Sequence, residues 1–481
     1  MSFMPQQFFR TKVRAGFAAS RLWRRRLPAC LQKLLPVAMF FALLCGCSKK
    51  AAPSADIQVC FTCDTRGRLE PCGCFTGQFG GLTRLKTAMD AKAPPDALRV
   101  DVGDAIGGAE DYDIIQYRYM LQAFAGLKFD ALNIGAREAA VSLAELLNIK
   151  KTSSVPILSA NLVDKATGRP VFEPYRIVQR NGLSIALVGV LDPRAVGNDL
   201  GEGLRVEPME PVLTRLLSEL RPRADLLVLL AFADEEALDG LAEKFFEPHV
   251  ILGGKVSQPA QAVKRTNHSL VYFVTNESRA LGILRLKVSR DKPPALLHNE
   301  ILLLHDRIPQ DSAFQAMARA YRDEVRATKL AVDDPANLAD DMVPGVRASA
   351  TYVGSEACIK CHKTAGAVWA KSGHAKAFST LIERRADADP KCIGCHTTGF
   401  GMLSGYRREF GAEKLVNAGC ESCHGPGSLH VRQRDGDSSV AFAYRPLGAG
   451  DCIKCHYGEF SRPFKWDEFW PPVRHGKEPK A

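Results

Sequence analysis

Four copies of Cys-x-x-Cys-His stand between residues 358 and 456: Cys358/Cys361/His362, Cys392/Cys395/His396, Cys420/Cys423/His424 and Cys452/Cys455/His456. With 15 cysteines and 11 histidines in 481 residues, chance supplies on the order of 0.01 such pentapeptides. The pattern is that of c-type haem attachment. Both cysteines add to the porphyrin vinyl groups as thioethers, and the adjacent histidine lies under the iron as proximal ligand. Zinc knuckles do not require a histidine after every cysteine pair, and thioredoxin-like motifs occur singly in a βαβ context. Four haems in about 130 residues leave roughly 33 residues each, too few for an apolar side-chain core. The porphyrins must form the core of this region, which packs them closely enough for electron hopping.

Low-spin electron-transfer haems need a sixth ligand, commonly His or Met. Beyond the four proximal histidines the region holds His374, His430 and His475. His374 is expected on a helix twelve residues past His362. His430 follows Cys423-His424-Gly-Pro-Gly, a turn expected to carry it away from its own haem toward a neighbour. Three distal candidates for four irons leave one iron short. That iron is either open to a small ligand or bound by Met402 or a histidine of the preceding domain (His249, His268, His298, His305).

Tyr352-Val-Gly-Ser-Glu-Ala-Cys358, Trp369-x-x-Ser-Gly-His374, Cys395-His-Thr-Thr-Gly-Phe400 and Cys420-Glu-Ser-Cys-His-Gly-Pro-Gly427 resemble the tetrahaem cytochrome c-554 family over about residues 351–476. The resemblance implies a mostly helical fold with three bis-histidine haems and one lacking a sixth ligand. By analogy the open haem is the one on Cys392/Cys395/His396.

Haem attachment takes place outside the cytoplasm, and the N-terminus agrees with export. Residues 1–46 carry eight basic side chains and no acidic one, and without them the formal charge of +11 falls to +3. The body therefore lacks the basic excess of a nucleic-acid binder. Arg24-Arg25-Arg26 and Lys33 precede a 13-residue apolar run, Leu34 to Gly46, too short to span a bilayer but suited to a signal-peptide core. Leu44-Cys45-Gly46-Cys47 resembles the bacterial lipobox, which implies cleavage before Cys47 and a lipid anchor on its thiol, with residues 47–55 as a tether. The expected location is the periplasm or cell envelope, with redox proteins as partners.

Between residues 56 and 305 short apolar strands (Leu98–Val102, Ile185–Leu191, Leu226–Leu230, Val250–Leu252) alternate with helical stretches (Ile114–Leu127, Glu235–Phe246), the pattern of a layered α/β domain. Asp64-Thr-Arg66-Gly-Arg-Leu-Glu-Pro71, Gly80-Gly81-Leu-Thr-Arg84, Val102-Gly103-Asp104 and Pro156-Ile-Leu-Ser-Ala-Asn161 resemble, in order, the motifs of calcineurin-like metallophosphoesterases of the 5′-nucleotidase type. The family's metal ligands are largely replaced. Asp64 and Asp104 remain, but Arg66, Ala136, Phe232, Lys255 and Ser257 stand where the family has its asparagine and histidine ligands, and Arg137 stands for its catalytic histidine. Cations at these positions oppose the binding of two divalent ions. Arg66, Arg137 and Lys255 are expected either to pair with Asp64 and Asp104 or to hold an anion. Cys60, Cys63, Cys72 and Cys74 cluster around the first motif. Their uses include a zinc or iron–sulfur site, disulfides, a redox-active dithiol or inert packing, although Cys60 and Cys63 would face opposite sides of a strand.

The expected organisation is multidomain. A signal peptide (1–46) and tether (47–55) precede a layered α/β metallophosphoesterase-like domain (56–305). A connector (306–350) with a helix over Ser312–Lys329 leads to a mostly α-helical tetrahaem domain (351–481). The leading functional expectation is an electron carrier with an inactive phosphoesterase-like domain. The alternatives are a redox enzyme acting on a small N, S or O species at an open haem or the cysteine cluster, and a metal-dependent phosphoester hydrolase.

Overall fold

The computed structural model describes residues 54–71, 79–274, 277–290, 292–341, 349–409, 413–457 and 461–476. Cys47, Cys72 and Cys74, and with them the signal peptide, the lipidation site and half of the cysteine cluster, lie outside the described residues.

The α/β domain is built on two six-stranded sheets. Its strands begin with β1 (Ser54–Thr62), β2 (Leu98–Asp101), β3 (Ala131–Asn133), β4 (Ile157–Leu158), β5 (Leu162–Asp164), β6 (Tyr175–Arg180) and β7 (Leu183–Leu191). They continue with β8 (Leu204–Val206), β9 (Leu226–Phe232), β10 (Val250–Gly253), β11 (Lys264–Thr266), β12 (Ser269–Phe273), β13 (Ala280–Ser289) and β14 (Lys292–Leu303). The first sheet runs β14-β13-β1-β2-β3-β4 and the second β11-β12-β10-β9-β7-β6, while β5 and β8 form a small antiparallel ribbon. Within each sheet the central strands are parallel (β1-β2-β3-β4 and β7-β9-β10-β12). Antiparallel strands lie at the margins. Parallel strands covered on both faces read as unbroken apolar runs. Strand β9, Leu-Leu-Val-Leu-Leu-Ala-Phe, is such a run and is buried throughout.

Helices α1 (Leu82–Lys92) and α2 (Asp111–Gly126) belong to the α/β domain. Helix α3 (Ser312–Ala327) has Asp311 as its N-cap and buries Phe314, Ala318, Tyr321 and Val325, a spacing of three to four residues that marks one face. That face packs into the α/β core.

The helical region follows as short pieces. The longest helix that begins after residue 350, Lys363–Lys371, has nine residues. Helix α4 (Pro390–His396) has Asp389 as N-cap and Pro390 in its first turn, where a missing N–H costs nothing. His374 is not on the helix that follows His362. That helix stops at Lys371, Ser372 turns out with extended backbone, and His374 lies in the 3-10 turn Gly373–Lys376.

Candidate haem sites and the remnant cleft

Three histidine ring pairs stand in the helical region. His362 and His430 have ring centroids 5.9 Å apart, His374 and His456 5.9 Å, and His424 and His475 5.8 Å. Each pair joins one Cys-x-x-Cys-His histidine to one of the three remaining histidines. Two imidazoles on opposite faces of one metal, with bonds of about 2 Å and about 1 Å more to each ring centre, place their centroids roughly 6 Å apart. The observed spacings fit an axial pair, so the residues fit a bis-histidine haem at three of the four motifs. Among the described residues His396 enters no such ring pair. Its Nδ1 lies 2.6 Å from the Ala377 carbonyl oxygen and 3.4 Å from Thr380 Oγ1.

Local chemistry sets these positions. The Glu421 carboxylate, buried inside Cys420-Glu-Ser-Cys423, accepts backbone N–H groups from Val353 (2.9 Å), Gly354 (2.7 Å) and Gly427 (2.7 Å). One side chain thereby ties the approach to Cys358 and the turn that launches His430 to the third motif. The indole N–H of Trp369 donates to the Ala418 carbonyl at 2.9 Å, anchoring the helix that leads to His374. Tyr444 lies against both His424 (5.5 Å) and His430 (5.4 Å), and Phe469 against His456 (4.9 Å). Sequence reasoning singled out none of Glu421, Tyr444 or Phe469. The acidic residue between the two cysteines of the third motif was the one available signal.

Proximity of the thiols orders the motifs: Cys358 is within electrostatic reach of Cys420, Cys395 of Cys455, and Cys423 of Cys452 and Cys455. Taken by position in the chain, the attachment sites neighbour one another as first, third, fourth, second.

Cys361 is exposed, whereas its motif partner Cys358 is half-buried. The helix Ser355–Ile359 buries none of its residues and ends before Cys361, whose backbone N–H closes a turn onto the Cys358 carbonyl at 3.2 Å. That turn carries the second sulfur of the first motif to the surface. Cys423 is also exposed, so the second sulfurs of the first and third motifs sit at the rim of the helical region rather than inside it.

The α/β domain carries a separate cleft of about 820 Å³ whose lining includes Asp64, Arg66, Asp104, Arg137, Phe232, Lys255 and Ser257. These residues come from the loops and strand ends at the carboxyl side of β1, β2, β3, β9 and β10, the usual crevice of parallel α/β sheets. The structure thus brings every position of the degenerate motif together. Asp64 and Asp104 occupy left-handed backbone positions (φ 57° each) in the turns after β1 and β2. The turn at Gly103 (φ 126°) abuts the backbone of Gly135 so closely that a Cβ there would collide.

Ion pairing fills the cleft. Arg66 Nε donates to Asp64 Oδ1 at 2.5 Å and its Nη1 to Glu277 Oε1 at 2.8 Å. The Arg137 backbone N–H donates to Asp104 Oδ1 at 2.8 Å, and its guanidinium lies 3.8 Å from Asp104 Oδ2. Lys255 does not join this network and donates instead to the Ala195 carbonyl at 2.6 Å. Burial pushes both Asp64 and Asp104 above the usual carboxylate range, with the neighbouring Glu138 adding to the rise at Asp104. Glu138 is itself committed, accepting N–H groups of Asp104, Ala105, Ile106 and Gly135 at 2.7–3.0 Å. With Arg66, Arg137, Phe232 and Lys255 in place of imidazole donors and Asp64 clamped by a guanidinium, the donor set does not fit a binuclear metal centre.

Cys60 and Cys63 are buried free thiols. Cys63 Sγ donates to the Gly103 carbonyl at 3.4 Å and packs on Gly254 under the cleft floor. Burial, reinforced by Asp101, Asp64, Asp104 and Glu138, holds its thiol protonated, the opposite of what a reactive thiolate requires. The four histidines of the α/β domain stay within it: His249 Nδ1 accepts the Leu227 N–H at 2.9 Å, His268 packs on Phe246, His298 faces Glu300, and His305 Nδ1 accepts the Arg307 N–H.

Known proteins divide along the same line. Residues 357–425 match the family described as "Cytochrome c554 and c-prime". Cytochrome c-554 of Nitrosomonas europaea is 38% identical over 95 residues, covering 17% of this chain and 40% of that protein. A 5′-nucleotidase of Vibrio cholerae is 30% identical over 177 residues, 34% of this chain and 31% of that protein. In both cases the chain spans less than half of the relative's length. Two solved structures share the α/β fold. Haemophilus influenzae NAD nucleotidase has a TM-score of 0.51 at 15% identity, covering 66% of this chain and 68% of that one. A Thermus thermophilus 5′-nucleotidase precursor has a TM-score of 0.50 at 20% identity, covering 57% and 59%. The family match implies covalently attached c-type haem. The helical C-terminal region is thus similar to cytochrome c554 over residues 357–425, and it is fused to an α/β domain similar to the 5′-nucleotidases.

Proposed function

We propose that the chain is an exported, lipid-anchored electron carrier with four c-type haems, three bis-histidine and one open, and that its α/β domain has no phosphoesterase activity. The observation that carries the reading is the sorting of seven histidines into three mixed pairs with His396 left over. Haem supplies a one-electron iron centre whose potential its ligands set. The attachment cysteines are Cys358/Cys361, Cys392/Cys395, Cys420/Cys423 and Cys452/Cys455. The iron ligands are His362 with His430, His424 with His475, His456 with His374, and His396 alone. The thiol contacts support an electron route running from the first site through the third and fourth to the second. Electron exchange with envelope redox proteins is the matching role, with anchoring through Cys47.

His396 also favours a second reading, in which the open iron binds a small nitrogen or oxygen species. The apolar cluster around it, with Leu381, Ile393, Tyr406 and Leu415 buried, suits a neutral diatomic ligand. The ion-paired cleft opposes hydrolysis, because the guanidinium of Arg66 holds the carboxylate that a metal would need.

One preparation of the matured protein tests these points. Pyridine haemochrome with intact mass should give four haems per chain. Ferric spectroscopy should give three low-spin haems and one high-spin haem. Nucleotide and a chromogenic phosphate ester should remain unhydrolysed with added Mn²⁺, Zn²⁺ or Co²⁺. Four low-spin haems would remove the open site, and metal-dependent turnover would overturn the loss of hydrolase activity.

A further inference from the structure

Of the four motif helices, α4 is the one clamped to the α/β domain. Lys391 stands immediately before Cys392, and its ammonium reaches out of the helical region into the first turns of α2. There it pairs with the Asp113 carboxylate and donates to Gln116 Oε1 at 2.5 Å. It also lies 6.0 Å from the centre of the Tyr112 ring, and so close over Gly107 that a Cβ there would collide with it. Asp113 and Gln116 are both buried, at 4% and 9% exposure. On the other side of Pro390, the buried Tyr321 hydroxyl of α3 donates to Asp389 Oδ2 at 3.0 Å. Asp389 in turn caps α4 through the Lys391 N–H at 3.0 Å. Outside these, Arg326 pairs with Asp387 (2.6 Å) and Arg385 with Asp323 (2.8 Å). Among the described residues, the side-chain hydrogen bonds and ion pairs of the other three motif helices run within the helical region.

We infer that Lys391 and Asp113 are positioning residues for the haem at Cys392/Cys395, forming an electrostatic lever by which the α/β domain sets that haem's reduction potential. The inference rests on the reading of Cys392, Cys395 and His396 as a haem site. A fixed cation near a haem disfavours the ferric state, which carries one more positive charge than the ferrous state, and a fixed anion favours it. Here the cation belongs to the haem's own helix and the compensating anion to the other domain, so docking determines how much of the lysine's field the haem feels. Asp113 is buried and Lys391 is only partly exposed, so screening of the pair is weakened. A purely mechanical clamp would not need opposite charges in a buried position, and Tyr321–Asp389 already supplies one.

The test uses full-length, haem-loaded protein and follows the open haem by its high-spin ferric signal during a redox titration. A Cys392→Ala/Cys395→Ala variant identifies by difference which titrating haem is meant, whether or not it is high-spin. Lys391→Met should lower the midpoint of that haem, changing its reduced-to-oxidised ratio at fixed potential about tenfold, or about 59 mV for one electron. Asp113→Asn should raise it by a comparable amount, and the double variant should return it close to the starting value. Tyr321→Phe, which loosens the clamp without changing charge, should leave it in place. Shifts of the same sign in both single variants, equal shifts at all four haems, or no shift would overturn the lever. A wild-type protein without any high-spin haem would sink the open-site reading, while the paired shifts would still decide the lever.

Discussion

Strand β9 of the α/β domain is buried along all seven residues, whereas the motif helix Ser355–Ile359 of the helical region buries none of its five. The difference extends across both regions. The α/β sheets are sealed by two large apolar clusters that run through every central strand. The helical region has two small clusters, with five and three buried members. One region buries its own hydrocarbon. The other is arranged around groups it does not itself encode, and its short helices are held by single polar anchors such as Glu421 and Asp389.

The largest expected effect comes from withholding haem. In a host without cytochrome maturation, the α/β domain should fold and residues beyond about 350 should be digested by a dilute protease. A protease-resistant full-length apoprotein would break the contrast. Next, Leu230→Ala in β9 removes a fully buried side chain and should cost the α/β domain about 2–5 kcal/mol. Urea unfolding followed by far-UV circular dichroism should shift, while the haem absorbance transition stays in place. If both shift together, the regions unfold as one unit and the contrast applies to composition alone.

A smaller, pH-dependent effect sharpens it further. Burial first, then Arg221 and His268, lowers the pKa of His249 to about 4. The ring is therefore neutral in the native state, while the unfolded chain takes up a proton below its ordinary value near 6.5. Stability from this site is fully present above pH 6.5 and falls as pH drops toward 4, by up to about 3 kcal/mol. His249→Asn, which keeps an acceptor for the Leu227 N–H, should flatten that part of the α/β unfolding profile between pH 7 and pH 4.5. The haem transition should not respond.

Repetition and periodicity made much of this legible in advance. The four pentapeptides, the α/β alternation from Leu98 to Leu252 and the replacement of metal ligands by Arg66, Arg137 and Lys255 are local features, readable because spacing and residue type carry them. The antiparallel strands β13 and β14 were not read: β13 carries the signal, buried Leu284, Leu286 and Val288 alternating with exposed Arg285 and Lys287, whereas the mostly exposed β14 has neither a clean alternation nor an apolar run. Lys255 was expected to pair with an aspartate or to help hold an anion, but it found a carbonyl instead, because the Gly253-Gly254 turn directs it across the cleft mouth. The surface position of Cys361 was equally out of reach, because the motif spacing is the same whether its sulfur points inward or to solvent.

The candidate attachment cysteines and proximal histidines are what the sequence alone picked out: they lie within five consecutive residues, so no fold is needed to name them. The assignment of distal histidines, the isolation of His396 and the docking of α4 through Lys391 and Tyr321 join residues far apart in the chain. Contacts at such separations depend on how helices and sheets pack around one another, and only the tertiary structure decides them.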